Sequence, residues 1–166
     1  MNTFFEKVSY NNFKDAMLDY NKNFMESDIQ KVYDEIKIPK RATKSSAGYD
    51  FSSTIDFSLN PGEEIKIPTG IRVKMKPEQV LLIFPRSSLG FKFRFQLNNS
   101  TGVIDADYYD SENEGHIFIK MFNGGNKIIE LKRGNAFAQG VFINYQITDD
   151  DDVTNIRNGG LGSTNV

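Results

Sequence analysis

The feature that most constrains the fold is a series of short apolar runs, separated by turn-forming residues, from about residue 29 onward. In these runs apolar residues either alternate with polar ones or form a brief continuous stretch, as in strands with one or both faces buried. The runs cover residues 36–38, 65–67, 71–75, 80–84, 117–122, 127–131 and 137–145. Gly, Pro and Asn lie between them, as in Asn60-Pro61-Gly62 and Gly124-Gly125-Asn126, and favour tight turns. The pattern predicts an all-β domain of the sandwich or jelly-roll kind.

Both ends of the chain differ from this middle part. Residues 9–26 carry apolar side chains at helical spacing behind two capping candidates, Asn11 and Asn12, so we expect an amphipathic helix. The apolar stripe consists of Phe13, Ala16, Met17, Tyr20 and Phe24. At the other end, the acidic run 149–152 leads into a tail of Gly, Ser and Asn with too little apolar content to pack by itself. We therefore predict a helical extension at 1–28, a β domain at 29–147 and a flexible arm at 148–166.

Composition and charge narrow the chemistry that the chain can perform. The net charge is −2, so no basic excess draws the protein to nucleic acid or to an anionic membrane. No apolar run approaches the roughly 20 residues that span a bilayer, and the N-terminus lacks the layout of a signal peptide, so we expect a cytoplasmic protein. The absence of Cys and the single His116 exclude thiol catalysis, disulfides, cysteine zinc sites and multi-histidine metal sites. The composition leaves open a reaction in which carboxylates act together with a hard cation and phosphates.

Two segments in the first half of the β domain carry polar groups suited to phosphates or a cation. Residues 46–51, SAGYDF, place Asp50 on a strand behind small residues that allow close backbone packing. Residues 85–90, PRSSLG, follow the apolar strand 80–84, and there Arg86 offers a bidentate fork beside the hydroxyls of Ser87 and Ser88. Each segment taken alone is also compatible with a plain surface turn.

Three segments of the second half add further polar groups. Residues 98–108, NNSTGVIDADY, are interpreted as a β-hairpin whose exposed backbone meets a planar base, with Asp105 and Tyr108 beside it. Residues 133–139, RGNAFAQ, feed a buried strand that carries the lone amide of Gln139. Residues 157–164, RNGGLGST, combine an arginine and hydroxyls with glycines that let N–H groups approach phosphates. The alternatives are a hairpin with exposed turn acids, a plain hairpin and a disordered terminus, respectively.

Taken in this order, the five segments resemble the five motifs of the homotrimeric dUTP pyrophosphatase (dUTPase) family, from residue 38 to the C-terminus. The resemblance implies a distorted jelly roll, or β-clip barrel, and a homotrimer with sites between subunits. It also implies hydrolysis of dUTP to dUMP and pyrophosphate with Mg²⁺, which limits uracil incorporation into DNA and supplies dUMP for thymidylate synthesis. The resemblance further implies a cytoplasmic enzyme from a bacterium or a phage-infected cell.

The resemblance also assigns roles to individual residues. Asp105 is implied as the general base that activates water, and Tyr108 as the ring that lies against deoxyribose and excludes ribose. Asn99 and the backbone of Gly102, Val103 and Ile104 are implied to read uracil, and Asp50 to orient waters on the metal. The phosphate-binding set implied by the family is Arg86, Ser87, Ser88, Gln139, Arg157, Ser163 and Thr164.

The main departures from the family pattern concern the lid and the region after Tyr108. Leu161 stands where family members usually have a phenylalanine that covers the base, and the stretch 109–115 is longer than usual. We predict that another ring covers uracil, with Phe118 as the first choice and His116 as the second. The alternative for Phe118 is an ordinary core residue of a strand.

Two other functions are compatible with the same scaffold. A dCTP deaminase shares the trimeric fold, although we find no segment with a placed catalytic glutamate. A regulatory protein that binds a repressor is the second alternative, and the N-terminal helix and the lengthened third motif are the features that a protein partner would use.

Overall fold

The computed structural model describes residues 2–155 and residue 157. It contains three α-helices, α1 (Tyr10–Tyr20), α2 (Glu26–Asp34) and α3 (Ser87–Phe93), and one 3-10 helix, Ala106–Asp110. The strands are β1 (Phe4–Lys7), β2 (Lys40–Arg41), β3 (Tyr49–Ser52), β4 (Phe57–Leu59), β5 (Glu64–Pro68), β6 (Ile71–Lys74), β7 (Gln79–Pro85), β8 (Phe95–Leu97), β9 (Gly102–Asp105), β10 (Phe118–Asn123), β11 (Ile129–Leu131) and β12 (Ala136–Asn144). The predicted all-β fold class is confirmed, with helices added to it.

Four antiparallel sheets make up the β structure of the described residues. The largest has the strand order β2-β3-β12-β7-β9, and a three-stranded sheet has the order β5-β10-β8. The pairs β1-β6 and β11-β4 complete the set. In the large sheet β12 lies between β3 and β7, both distant from it in sequence, and this connectivity is typical of jelly rolls rather than of simple meanders.

The core lies between these sheets and follows the two-residue period of the strands. On β10, for example, Ile119, Met121 and Asn123 are buried while the residues between them are exposed or half-buried. Large aromatic rings fill the centre, and Phe51, Phe95 and Phe137 are at most 1% exposed. Because each ring removes a large apolar area from water, these residues contribute strongly to the stability of the domain.

The N-terminal region contains more structure than the single helix predicted for residues 9–26. Helix α1 begins after Ser9, whose hydroxyl accepts a hydrogen bond from the Asn12 N–H, and it ends at Asn21. The Asn21 side chain accepts a hydrogen bond from the Asn23 N–H, and such local bonds compete with helix continuation.

A second helix crosses the predicted boundary between the helical extension and the β domain. Helix α2 buries Ile29 and Val32, which are three residues apart and therefore lie on one helical face. The predicted boundary after residue 28 falls inside this helix. Residues 36–38, predicted as a strand, belong to no strand, although Ile36 and Ile38 pack against the core. Strand β1 was not predicted, and it pairs with β6.

The hairpin expected at residues 98–108 is also absent. Strand β8 pairs with β10, whereas β9 pairs with β7, so the turn at 98–101 connects two different sheets. The local turn signal was correct, but pairing partners are set by tertiary packing that a short segment does not reveal.

Candidate active site

The predicted general base, Asp105, is the last residue of β9 and its side chain is exposed. The 3-10 helix that follows carries Asp107 and Tyr108. The guanidinium of Arg157 contacts both carboxylates, with Nη2 at 2.5 Å from Oδ2 of Asp105 and Nε at 2.8 Å from Oδ1 of Asp107. The structure therefore brings the third and fifth sequence segments together around a pair of carboxylates.

Strand β9 is the outermost strand of the large sheet and holds the residues predicted to read a base. On one side it pairs with β7, where Gly102 lies opposite Ile83 and Asp105 opposite Val80. A Cβ atom on Gly102 would approach the Cβ of Ile83 to 3.0 Å, so the close packing of the two strands favours glycine there. Its other edge has no strand beside it among the described residues, so it offers backbone donors and acceptors.

The remaining residues of the predicted base site lie along or beside this edge. Val103 is 58% exposed and Ile104 is half-buried. Asn99 lies in the turn before β9, and its carbonyl accepts a 2.7 Å hydrogen bond from the Thr101 N–H. Asn99 and Asp105 thus stand at the two ends of one exposed strand edge.

Tyr108 is buried, and its hydroxyl is hydrogen-bonded inside the protein. The hydroxyl donates to the His116 carbonyl at 2.9 Å and accepts from Nδ2 of Asn113 at 2.8 Å. Burial raises the pKa of the Tyr108 phenol, while the hydrogen bond from Asn113 and the charge of Arg157 act in the opposite direction. The Tyr108 hydroxyl thus both donates and accepts a hydrogen bond inside the protein.

A second group of predicted residues forms around the end of β7. Arg86 follows this strand, and its Nη2 lies 3.7 Å from Oδ2 of Asp50. Gln139 of β12 lies opposite Asp50 of β3 in the sheet register. A Cβ on Gly48 would come within 2.3 Å of the Gln139 side-chain oxygen, so glycine leaves the room that this amide occupies. Ser87 and Ser88, at the start of α3, are exposed.

The two groups do not meet within one chain. Asp105 lies opposite Val80 near the beginning of β7, whereas Arg86 follows the end of the same strand. At about 3.3 Å per residue, the strand separates these two positions by about 20 Å. The Arg86 group and Asp105 of one chain therefore lie toward opposite ends of β7.

The prediction that His116 covers a base is wrong. Its ring is fully buried; Nε2 accepts a hydrogen bond from the Gly70 N–H at 2.9 Å, and Nδ1 lies 2.8 Å from Oδ1 of Asn12. Burial lowers the pKa of His116 to about 4, so the ring is neutral at pH 7. A buried ring with both nitrogens bonded cannot turn outward without breaking these contacts.

Phe118 is half-buried on β10 and contacts groups of its own chain. Its ring centroid lies 4.2 Å from that of His116, and Nζ of Lys66 lies 4.4 Å from the ring centroid. Phe118 is thus a strand residue, but its half-buried ring is not part of the core, and its role as a cover for the base stays a prediction. Leu161, Ser163 and Thr164 lie outside the described residues.

Two residues beside the site were not assigned a role from the sequence. Asp107 shares Arg157 with Asp105, and Asn113 holds the Tyr108 hydroxyl. The spacing of Asp107 from Asp105 was visible in the sequence, but an acid in a turn gives no sign of its partner. Asn113 lies in an irregular segment, where no periodic pattern indicates which side chains point inward.

The donor set suits magnesium bound mainly by its substrate. Among residues 2–155 and 157, no group of three or more His, Cys, Asp or Glu side chains is arranged to hold a metal ion. Asp50 supplies a hard carboxylate beside Arg86 and Gln139. Mg²⁺ commonly keeps several waters and binds through one or two carboxylates plus substrate phosphates, so Asp50 fits a water-mediated role.

None of the helices in the described part of the chain is both long and apolar enough to cross a bilayer.

These features define the class of the protein: an all-β protein whose carboxylate and arginine groups are arranged for a phosphorylated ligand. Comparison with known proteins identifies the family within this class. The dUTPase family model matches residues 34–165, and the chain belongs to the dUTPase family. The resemblance found in the sequence is thereby confirmed.

Similar proteins come from several bacteria. The deoxyuridine 5'-triphosphate nucleotidohydrolase of Lactococcus lactis subsp. lactis (strain IL1403) is 42% identical over 132 residues, which cover 78% of this chain and 88% of that protein. The protein of the same name from Haemophilus influenzae (strain PittEE) is 35% identical over 140 residues, or 80% of this chain and 89% of that protein. The crystal structure of dUTPase from Streptococcus mutans matches with a TM-score of 0.66 and 34% identity, covering 88% of this chain and 98% of that one.

A more distant match supports the fold alone. The dUTPase from phage phi11 of S. aureus has a TM-score of 0.64 at 19% identity and covers 94% of this chain and 98% of that one. A mutant of that phage enzyme coordinates a structural Mg(II) ion.

Proposed function

We propose that the chain hydrolyses dUTP to dUMP and pyrophosphate. The observation that carries this proposal is the exposed carboxylate of Asp105 at the end of the edge strand β9, three residues before Tyr108. In this reaction Asp105 accepts a proton from the water that attacks the α-phosphorus, and pyrophosphate leaves. Positioning and charge stabilisation supply most of the rate increase in such phosphoryl transfers.

The free edge of β9 reads the base. Backbone groups between Gly102 and Ile104 pair with the uracil edge, and Asn99 closes the end of this edge away from Asp105. Tyr108 lies against the sugar, where its fixed ring leaves no room for a 2′-hydroxyl. The direction of β9 supports this arrangement, because the base then lies toward Asn99 and the α-phosphate toward Asp105 at the other end of the strand.

The triphosphate is held by arginine, serine and amide groups. Arg86 and Gln139 bind phosphate oxygens together with the hydroxyls of Ser87 and Ser88. Arg157, Ser163 and Thr164 of the arm cover the outer phosphates. Asp50 would hold the waters of a magnesium ion bound to the triphosphate, and that ion would supply positive charge to neutralise the phosphates.

The separation of the two groups within one chain supports sites shared between copies, and membership of the dUTPase family supports three copies in the assembly. Since about 20 Å lies between Asp105 and the Arg86 group, the phosphate-binding residues at each site come from a neighbouring copy. Two large apolar side chains support contact between copies on these surfaces: Phe91 of α3 is 93% exposed and Val103 of β9 is 58% exposed. Burial of such side chains stabilises assembly.

Subunit mixing tests this arrangement. Asp105→Asn and Arg86→Ala homotrimers are each expected to be nearly inactive, whereas mixed trimers regain activity because some interfaces pair an intact Asp105 with an intact Arg86. Random mixing restores about a quarter of the sites. The mixture is refolded together and assayed after its mass is measured by sedimentation. Activity no higher than that of the separate variants, or the mass of a single chain in an active wild-type sample, contradicts the proposal.

The activity itself is tested with four nucleotides. We expect release of equal amounts of dUMP and pyrophosphate from dUTP with Mg²⁺, and much slower reaction with UTP, dTTP and dCTP. Ammonia release from dCTP would indicate the deaminase alternative, which the names of the similar proteins do not favour. No pyrophosphate from dUTP would contradict the proposed function.

The regulatory role stays a prediction. The two segments expected to serve a protein partner, the N-terminal region and the lengthened stretch 109–115, contact each other in the structure through Ser9 and Glu114. A pull-down with and without dUTP tests whether their outer surfaces bind another protein.

A further inference from the structure

The two parts of the chain that depart from the family pattern pack against each other. The family model begins at residue 34, so β1 and α1 lie outside it. Ser9, at the start of α1, donates to the Glu114 carboxylate through its N–H at 2.7 Å and its hydroxyl at 2.6 Å. Asn12 donates from Nδ2 to the Asn113 carbonyl at 3.0 Å. The N-terminal extension therefore fixes the end of the lengthened stretch 109–115.

The same stretch fixes Tyr108. Asn113 donates from Nδ2 to the Tyr108 hydroxyl at 2.8 Å. The hydroxyl of Ser111 lies 2.6 Å from the Tyr108 carbonyl and 2.7 Å from Oδ1 of Asn113, so the amide of Asn113 is oriented on both sides. Gly115 then turns the chain with φ of +68°, and a Cβ there would lie 2.7 Å from Cα of Tyr109. The segment is thus folded tightly back onto Tyr108.

A second connection reaches the other hydrogen bond of the Tyr108 hydroxyl. The hydroxyl donates to the carbonyl of His116, whose ring Nδ1 lies 2.8 Å from Oδ1 of Asn12. One side chain of α1, Asn12, therefore contacts both residues that bind the Tyr108 hydroxyl.

We propose that Asn113 is a positioning residue for sugar selection, and that the N-terminal extension, through Asn12, holds it in place. The proposal rests on the proposed function, in which Tyr108 lies against the deoxyribose. The ring excludes a 2′-hydroxyl only if its position is fixed, because a small swing of the side chain about its Cα–Cβ bond opens room for one oxygen atom. Two hydrogen bonds to the hydroxyl hold the far end of the ring and oppose this swing. The extension thus serves the active site although it contributes no group to the substrate.

Selectivity measured on single and double variants tests the proposal. The quantity is the ratio of kcat/KM for dUTP to kcat/KM for UTP. We expect Asn113→Ala to lower this ratio by about threefold to tenfold, the effect of losing one hydrogen bond, while kcat for dUTP stays within about twofold. Asn12→Asp keeps the acceptor for His116 but loses the donor to the Asn113 carbonyl. We expect it to lower the ratio less than Asn113→Ala does.

A double-mutant cycle separates positioning from a general loss of stability. In the Tyr108→Phe background the hydroxyl is missing, so the hydrogen bond from Asn113 is already lost. Adding Asn113→Ala is therefore expected to cause no further fall in the ratio. Lys14→Ala is the matched control in the same extension, because Lys14 pairs with Glu26 on the outer side of α1. We expect the wild-type ratio for this control.

Each outcome supports or overturns the proposal. An unchanged ratio in Asn113→Ala overturns it, and so does an equal fall in the wild-type and Tyr108→Phe backgrounds. Tyr108→Ala distinguishes the sugar role of Tyr108 from the positioning role of Asn113. If Tyr108→Ala lowers the ratio while Asn113→Ala does not, only the positioning role fails. If Tyr108→Ala leaves the ratio unchanged, the sugar role of Tyr108 fails with it. Absence of dUTP hydrolysis in the wild-type protein removes the proposed function itself.

Discussion

Replacement of Asp105 by Asn is expected to reduce the turnover of dUTP by about 10² to 10⁴ and to leave nucleotide binding close to that of the wild type. The amide has nearly the same shape as the carboxylate, but it does not accept the proton of the attacking water. Asp105 is exposed at the end of β9, so the substitution does not disturb the core. Single-turnover rates and the affinity for a non-hydrolysable dUTP analogue separate the chemical step from binding.

Asp107→Asn is the matched control for this measurement. Asp107 is also exposed, lies two residues further along and binds the same Arg157 side chain, so its replacement removes the same charge and a comparable ion pair. We expect a change of less than about tenfold in turnover, since exposed ion pairs contribute little. If Asp105→Asn turns over dUTP within a few-fold of the wild type, or if Asp107→Asn is the more damaging change, Asp105 is not the base.

Most of the strands that the sequence pattern located are long enough to show their two-residue period, and the exception is the three-residue β11 inside the run 127–131. The runs at 65–67, 71–75, 80–84 and 117–122 each correspond to a strand, because alternation over several residues reflects burial of one face. Strands β2 and β8, of two and three residues, are too short to show a period. Strand pairing was not predictable, and the hairpin expected at 98–108 failed because β8 and β9 find partners elsewhere in the chain.

The site was predictable where a motif places a side chain at the end of a strand. Asp105 at the end of β9 and Arg86 after β7 are examples, since a strand end fixes the direction of the next residues. The partners of these side chains were not predictable. Asn113 and Asn12 are polar residues in parts of the chain that differ from the family, and nothing in their local sequence indicates that they meet. The single histidine was misplaced for a related reason: its position directly after the lengthened stretch 109–115 suggested a ring free to cover the base, whereas the ring is fully buried.

That buried histidine makes stability depend on pH. Nε2 of His116 accepts from the Gly70 N–H, so the proton of the neutral ring is on Nδ1 and is donated to Asn12. Protonation of Nε2 would place a donor against the Gly70 donor and bury a charge. Of the charged groups around the ring, Glu114 opposes the lowered pKa and Lys66 adds to it, while burial is the largest cause and brings the pKa to about 4.

The sign of the effect follows from the two protonation equilibria. The unfolded chain takes up a proton at His116 near pH 6.5, whereas the folded chain does so only near pH 4. The contribution of the neutral His116 ring to the free energy of unfolding is therefore complete above pH 6.5 and is lost as the pH falls toward 4. Each pH unit in this window contributes about 1.4 kcal/mol, and the loss reaches about 3 kcal/mol by pH 4. Denaturant unfolding at a fixed protein concentration, measured between pH 7 and pH 4, gives the change in the free energy of unfolding per pH unit.

A His116→Gln variant isolates this contribution, because it keeps the carboxylates whose pKa values are lowered in the folded state, such as Asp56 and Glu64. The variant is expected to be less stable at pH 7 and to lose less stability on acidification, so that the two curves converge toward pH 4. If the free energy of unfolding falls with pH in parallel for the two proteins, His116 is not the cause of this pH dependence. If the variant does not fold, the imidazole signal of the wild-type protein in a proton NMR titration gives the same information, because the chain has one histidine. A midpoint near 6.5 for the folded protein would show that the ring is not buried between Gly70 and Asn12, and would remove the second of the two connections from α1 to the Tyr108 hydroxyl.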